Sequence, residues 1–259
     1  MKGLIIKDIM CLRKQLITFI YVLIAVSVIS VMYVLSARYG NLALAGREMA
    51  KTGQASDLDI KNIASLSLVL FMLLPIAVIG DMVNVFLEDG KAGFNKIVGS
   101  FPVPVKKRLL SKYISIYALF LIGVVVDLVL ALFLSAITDL MTFWELTGVI
   151  ISAASVMSIY SALVIFFCII LGYGKEPYAQ FLSLFSMMSV TVLVNFNTAK
   201  KYFIFIMTDN ESILNGLSRW SALDLIKNRS WLLLLIAVVV SISSYAASLF
   251  VAERKRGVV

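Results

Sequence analysis

The chain has 259 residues, of which 61% are apolar and only 15% charged, and its mean hydropathy is +0.99. Soluble domains carry nearer a quarter charged residues and disordered chains far less apolar surface, so both are excluded in favour of an integral membrane protein with several spans. The net charge is +8 with no histidine, which removes His-based acid–base chemistry, Ser-His-Asp triads and His-ligated zinc, and the basic excess reads as membrane topology rather than nucleic-acid binding.

Residues 1–15 make an amphipathic start. Ile5, Ile9, Leu12 and Leu16 recur at helical spacing against Lys2, Lys7, Arg13 and Lys14, which predicts a helix lying on the inner membrane surface. The plainer alternative is a charged start to the first span. Asp8, Arg13 and Lys14 interrupt the apolar run that a signal peptide needs. Six stretches follow that are long and apolar enough to cross roughly 30 Å of hydrocarbon. They cover about 16–36, 64–87, 110–136, 146–171, 178–196 and 231–252. A helix satisfies its own backbone in lipid, and the alternation of a barrel is missing. The fold class is therefore all-α: a polytopic membrane protein, one transmembrane domain of six helices. Pro75 removes a backbone donor and predicts a kink in the second span. Cys11 and Cys168 lie in or beside apolar segments, which argues against a disulfide framework.

Orientation follows from the basic residues. With a cytoplasmic N-terminus, 14 of the 23 Lys and Arg fall inside and 9 outside, so both termini are expected in the cytoplasm. Five of the outer nine sit in 197–229, where Ile213, Leu214, Leu217, Trp220, Leu223 and Ile226 suggest one or two short amphipathic helices at the outer interface.

Two acids fall within spans. Asp81 lies in the inner third of the second, with Asn84 on the same face, and Asp127 lies in the outer half of the third. Intramembrane acids are costly and usually face the bundle interior or a wet cavity. These three residues are candidates for a translocation path or a subunit interface; the alternative is an interhelical hydrogen bond. Ala154, Ser158 and Ala162 form a small-residue face on the fourth span, and Ser241, Ser244, Ala247 and Ser248 one on the sixth. Close packing within the bundle is the favoured reading of both, ahead of a pore lining. P-loop, HExxH, paired-glutamate protease and lipid-phosphotransferase patterns are missing from the sequence.

The most informative polar segment is the inner loop between spans two and three. Glu88 and Asp89 end one helix, and Phe94, Ile97 and Val98 fall on one side of a short amphipathic helix. Pro102 and Pro104 break it, and Lys106, Lys107, Arg108 and Lys112 start the next span. The order of acids, short helix, Ser-Phe-Pro at 100–102, basic cluster and Ser-Lys-Tyr at 111–113 resembles small ABC-2-type transporter permeases of bacteria. Length, span number and basic start agree with that family, and the likeness is strongest to permeases of exporters for peptides such as phenol-soluble modulins and bacteriocins.

The resemblance implies a permease subunit in the bacterial plasma membrane. It would work as a homo- or heterodimer, with a second copy or a homologous permease, and with separate cytoplasmic ATPase subunits that bind the ATP; no cofactor is expected on this chain. It makes the segment around 88–112 a coupling helix, with Glu88, Asp89, Phe94, Ile97, Pro102, Lys107 and Lys112 as candidate ATPase-contacting residues. Residues 1–15 become a connecting helix and 197–229 short re-entrant outer helices. Membrane lipids are the remaining expected partner. Three other readings compete: an autonomous secondary carrier or channel, a membrane-embedded lipid enzyme, and a glycan or lipid exporter of the same superfamily. Halves 1–136 and 137–259 show no internal echo of the kind carriers often have, and the enzyme reading has no catalytic constellation.

Overall fold

The computed structural model describes residues 2–39, 74–76, 104–137, 142–172, 175–194 and 222–254. Six α-helices appear there: α1 (Lys2–Cys11), α2 (Arg13–Tyr39), α3 (Val105–Ile137), α4 (Phe143–Leu171), α5 (Glu176–Val194) and α6 (Ala222–Arg254). Among the described residues there is no strand. Four helices are long and apolar enough to cross a membrane, over Arg13–Tyr33, Val105–Ile137, Phe143–Leu171 and Ser230–Arg254. They correspond to the first, third, fourth and sixth predicted stretches. The fifth stretch is α5, whose 19 residues make about 28 Å of helix, close to the hydrocarbon thickness. Of the second, only Leu74, Pro75 and Ile76 are described; they are helical and Ile76 is buried. The residues flanking these three, on which the expected kink at Pro75 depends, lie outside the described residues.

Helix ends differ from the predicted spans for local reasons. The fourth helix starts at Phe143 rather than near Leu146 because Thr142 caps it. The Glu145 N–H donates to Thr142 Oγ1 at 3.4 Å, and the Thr142 N–H donates to the Glu145 carboxylate at 3.1 Å. This is a reciprocal capping box. The helix stops at Gly172, whose φ of 83° only glycine adopts cheaply and whose N–H donates to the Cys168 carbonyl at 2.9 Å. Pro177 then sits in the first turn of α5, where its missing N–H costs little. The largest departure is α6. Its 33 residues make about 50 Å of helix, and they include Ala222–Arg229, which the sequence reading put into separate outer helices. Nothing in Leu223–Ser230 breaks a helix, so the polar residues there mark the membrane edge and not the helix end. The rest of 197–221 lies outside the described residues.

α1 and α2 are nearly continuous. At Leu12 the chain makes one turn, and the Leu12 N–H donates to the Asp8 carbonyl at 3.2 Å while the Leu16 N–H donates to the Leu12 carbonyl at 2.9 Å. Two apolar clusters hold the helices. One gathers Leu12, Phe19, Leu109, Tyr113, Ile116, Ile165, Cys168, Ile169, Ala179 and Ala252, at the end where α2, α3 and α5 begin and α4 and α6 finish. The other gathers Ile76, Ala131, Leu134, Leu146 and Ile150 toward the opposite end. α4 therefore runs antiparallel to α3 and α5, and parallel to α6.

Candidate functional site

The bundle end at which α3 starts has a polar interior. Asp8 of α1 is only 1% exposed, its Oδ2 accepts the Ser111 hydroxyl of α3 at 3.0 Å, and its Oδ1 lies 3.0 Å from Lys7 Nζ. The Lys7 contact is ionic and lacks hydrogen-bond geometry, since that oxygen has no hydrogen-bond partner among the described residues. Lys112, next to Ser111, is buried, as is Glu176 at the start of α5. Cys168, buried at the end of α4, packs in one cluster with Leu109 and Tyr113 of α3 and Ala179 of α5. Residues from four helices thus converge at the start of α3. A carboxylate enclosed this way is retained because a donor and a cation meet it; without them, burial would cost several kcal/mol.

A hydrogen-bonded seam continues along α3. The Tyr117 hydroxyl donates to Ser241 Oγ at 2.8 Å and contacts the Ser158 carbonyl at 3.3 Å. Tyr113 Oη lies 2.9 Å from Ser244 Oγ and 3.3 Å from Ser248 Oγ. Ser244 donates to the Ala162 carbonyl at 2.7 Å, and Ser158 meets Ser241 at 3.4 Å. A side chain reaches the backbone carbonyl of another helix only where both surfaces are small. The Ala154–Ser158–Ala162 face and the Ser241–Ser244–Ser248 face are therefore the contact between α4 and α6. The favoured packing reading of these stripes holds, and the tyrosines of α3 complete it. Tyr113 also stacks on Tyr117 with centroids 6.2 Å apart and meets Tyr245 edge-on at 5.3 Å.

Farther along α3 sits Asp127. It is 0% exposed, and neither carboxylate oxygen has a hydrogen-bond partner among the described residues. Gly123 and Ala131, one turn to either side, share its buried face. Val124 and Leu128 beside it pack against the second apolar cluster.

Of the residues singled out in the sequence, Lys107 is exposed at the start of α3, Lys112 is buried in the polar end, and Asp127 is enclosed by the chain itself. Glu88, Asp89, Phe94, Ile97, Pro102, Asp81 and Asn84 lie outside the described residues. The sequence reading missed Asp8, Ser111, Tyr113, Tyr117 and Glu176 as a connected set. Asp8 carried a usable signal: it falls between Ile5 and Leu12 on the apolar stripe of α1, where an acid needs a buried partner.

Helices of this length and polarity, fastened by small-residue contacts with polar groups kept inside, define a multi-pass helical membrane protein. The sequence model of the family described as "ABC-2 family transporter protein" matches residues 60–255, well over half of the chain. The chain belongs to the ABC-2 transporter family, whose members are membrane components of transporters. No curated protein and no solved structure gives a significant match.

Proposed function

We propose that this chain is the permease subunit of an ATP-driven exporter that carries a peptide or other amphipathic molecule out of a bacterial cell. In this reading six spans cross the plasma membrane with both termini in the cytoplasm. A separate pair of ATPase subunits supplies and binds the ATP, and a second copy or a homologous permease completes the complex. The segment at 88–112 is the ATPase contact, with Glu88, Asp89, Phe94, Ile97, Pro102 and Lys107 as its residues and Lys112, buried in the bundle end behind it, as their support. Asp81, Asn84 and Asp127 belong to the translocation path or to the subunit interface. ATP binding favours one of two arrangements of the paired permeases, and release favours the other, which alternates access.

Beside family membership, the observation that carries this reading is the buried Asp8–Ser111 bond at 3.0 Å. It ties the amphipathic first helix to the first turns of α3, directly after the proposed contact loop. A push on that loop would then move α1 and α3 together. Co-expression with candidate ABC ATPases tests it. A stable complex is expected, and Glu88→Ala, Phe94→Ala or Ile97→Ala should weaken the complex and abolish transport. If no ATPase co-purifies and none of these variants alters transport, the reading fails. ATPase stimulation by a panel of peptides, lipids and glycans identifies the substrate, and a response to glycans or lipids alone replaces the peptide reading.

A further inference from the structure

We propose that Arg13 and Lys14 form a docking site for the phosphate of an anionic phospholipid whose acyl chains lie along the outer face of α2. The Leu12 N–H bonds the Asp8 carbonyl and the Leu16 N–H bonds the Leu12 carbonyl. This carries the helical i to i−4 pattern across the junction of α1 and α2, so the two helices share one set of faces. Asp8, Leu12, Phe19, Val26 and Ser30 are buried and mark the face turned to the bundle. Ile6, Met10, Ile17, Tyr21, Ile24 and Val28 are exposed, and they fall on the opposite face, within an arc of about 100°. Arg13 and Lys14 are exposed on the same arc, with apolar residues before and after them.

Cations inside an apolar stripe, rather than beyond its end, identify what covers it. Ile17 and the residues after it lie in the part of α2 that is apolar enough to span. Met10 and Ile6 lie about 5 and 10 Å to the other side of Arg13 along the axis, which puts Met10 within the headgroup layer, about 5–8 Å thick. A soluble acidic protein could cover Ile6 and Met10 but not Ile17 or Ile24, whereas a lipid meets both sides of the charged pair. The apolar stems of Arg13 and Lys14 lie along the stripe while their heads reach phosphate depth. The charge balance then selects the class of lipid. Asp8 is the one acid in residues 1–39; it is buried on the opposite face, where it meets Ser111 and Lys7. The stripe therefore carries two positive charges that α1 and α2 do not balance. The first turns of α3, tied to α1 by the Asp8–Ser111 bond, add exposed Lys106 and Lys107 and have no acid in 104–112. A phosphatidylcholine phosphate is balanced by its own choline. A phosphatidylglycerol phosphate is not, and it offers the guanidinium and the ammonium a full negative charge.

The site requires only that the chain spans a membrane, and neither the ATPase nor the cargo enters it. The test uses the full chain with Trp144, Trp220 and Trp231 changed to Phe and with Ile17→Trp as a reporter on the stripe. It is reconstituted in mixed phosphatidylcholine and phosphatidylglycerol bilayers in which one lipid or the other carries brominated acyl chains. Tryptophan quenching gives the relative occupancy of the two lipids beside residue 17. A preference for phosphatidylglycerol of at least about fivefold is expected at low salt, falling toward parity in about 1 M NaCl, where charges are screened within about 3 Å. Arg13→Gln with Lys14→Gln should bring the preference to within about twofold of parity. Arg254→Gln should leave it unchanged, because that guanidinium is held over the Phe250 ring of α6 at 4.4 Å. Should the double variant fail to insert, the salt titration of the parent decides. The proposal is overturned if the parent shows less than about a twofold preference, if the preference survives the double substitution or about 1 M NaCl, or if Arg254→Gln removes it equally, which makes it a diffuse field and not a site. Failure of the transport reading shows separately, as the lack of an ATPase complex with the lipid preference intact.

Discussion

Replacing Ala162 by leucine tests whether the α4–α6 seam is the contact that holds the bundle. Ala162 is 0% exposed, and its carbonyl accepts the Ser244 hydroxyl at 2.7 Å. A leucine adds three methyl-sized groups where two backbones are within side-chain reach of each other. Overpacking of this kind costs about 1–3 kcal/mol. Pushing the helices apart also breaks the Ser244 bond, worth about 0.6 and at most about 1.7 kcal/mol in membrane proteins. The expected loss is therefore about 2–4 kcal/mol, one to three orders of magnitude in the folding equilibrium. Reversible unfolding in mixed micelles, followed by circular dichroism and tryptophan fluorescence, gives the number. Ala246→Leu is the control: it makes the same change on the exposed face of α6 and should stay within about 0.5 kcal/mol of the parent. If Ala162→Leu is as stable as the control, the seam is not a close contact and the reading of the serine–alanine faces is refuted.

Breaking the tie between α1 and α3 should be measurable by a double-mutant cycle. Asp8→Ala with Ser111→Ala is expected to show a coupling energy of about 1.5–3 kcal/mol, as for hydrogen bonds to a charged group, and a coupling near zero would remove the bond at 3.0 Å from the account. Thr142→Ala should cost about 1 kcal/mol by removing the cap, seen as faster hydrogen exchange in residues 143–146 with little change deeper in α4; unchanged exchange would contradict the capping box. Trp144 and Trp231 are 78% and 70% exposed and sit near the same end of the parallel pair α4 and α6, as an interfacial aromatic belt would. In single-tryptophan variants, lipids brominated near the headgroup should quench both more than lipids brominated near the bilayer centre. The reverse order would displace the membrane boundary from these residues.

The helical class and four of the spans were legible because apolar stretches of 18 or more residues have few other uses. Helix ends were less legible. The third apolar stretch was bounded near Leu110, yet α3 begins at Val105, because basic residues at the membrane edge are good helix formers. Residues 222–229 read as a separate outer element for the same reason. Small-residue faces identified α4 and α6 as contact surfaces, since backbone approach depends on local side-chain size alone. The polar end was not legible as a unit. Whether Lys112 faces an ATPase or the bundle depends on where Asp8, Cys168 and Glu176 come to rest, and these positions lie far apart in sequence. Asp127 was visible as an intramembrane acid; its full burial was visible only once the neighbouring helices were in place.

One helix connects the three polar features. From Ser111, bound to Asp8, α3 passes Tyr113 and Tyr117, bound to the α4–α6 seam, and then reaches Asp127. The distance from Ser111 to Asp127 is about 24 Å along the axis. A helix that is held near one end transmits tilt rather than absorbing it, unless it contains a break, and α3 has no proline and a single interior glycine, Gly123. A tilt of about five degrees at the loop end would shift Asp127 by about 2 Å, comparable to the width of a hydrogen bond's tolerance. In the proposed transport cycle the tyrosine–serine bonds would be the fulcrum: they tie α3 to the α4–α6 seam, and their geometry would limit how far it turns before a bond is lost. Because the donors and acceptors in the seam are uncharged hydroxyls and carbonyls, exchanging one partner for the next costs little, which is the property required of a pivot that has to hold two positions.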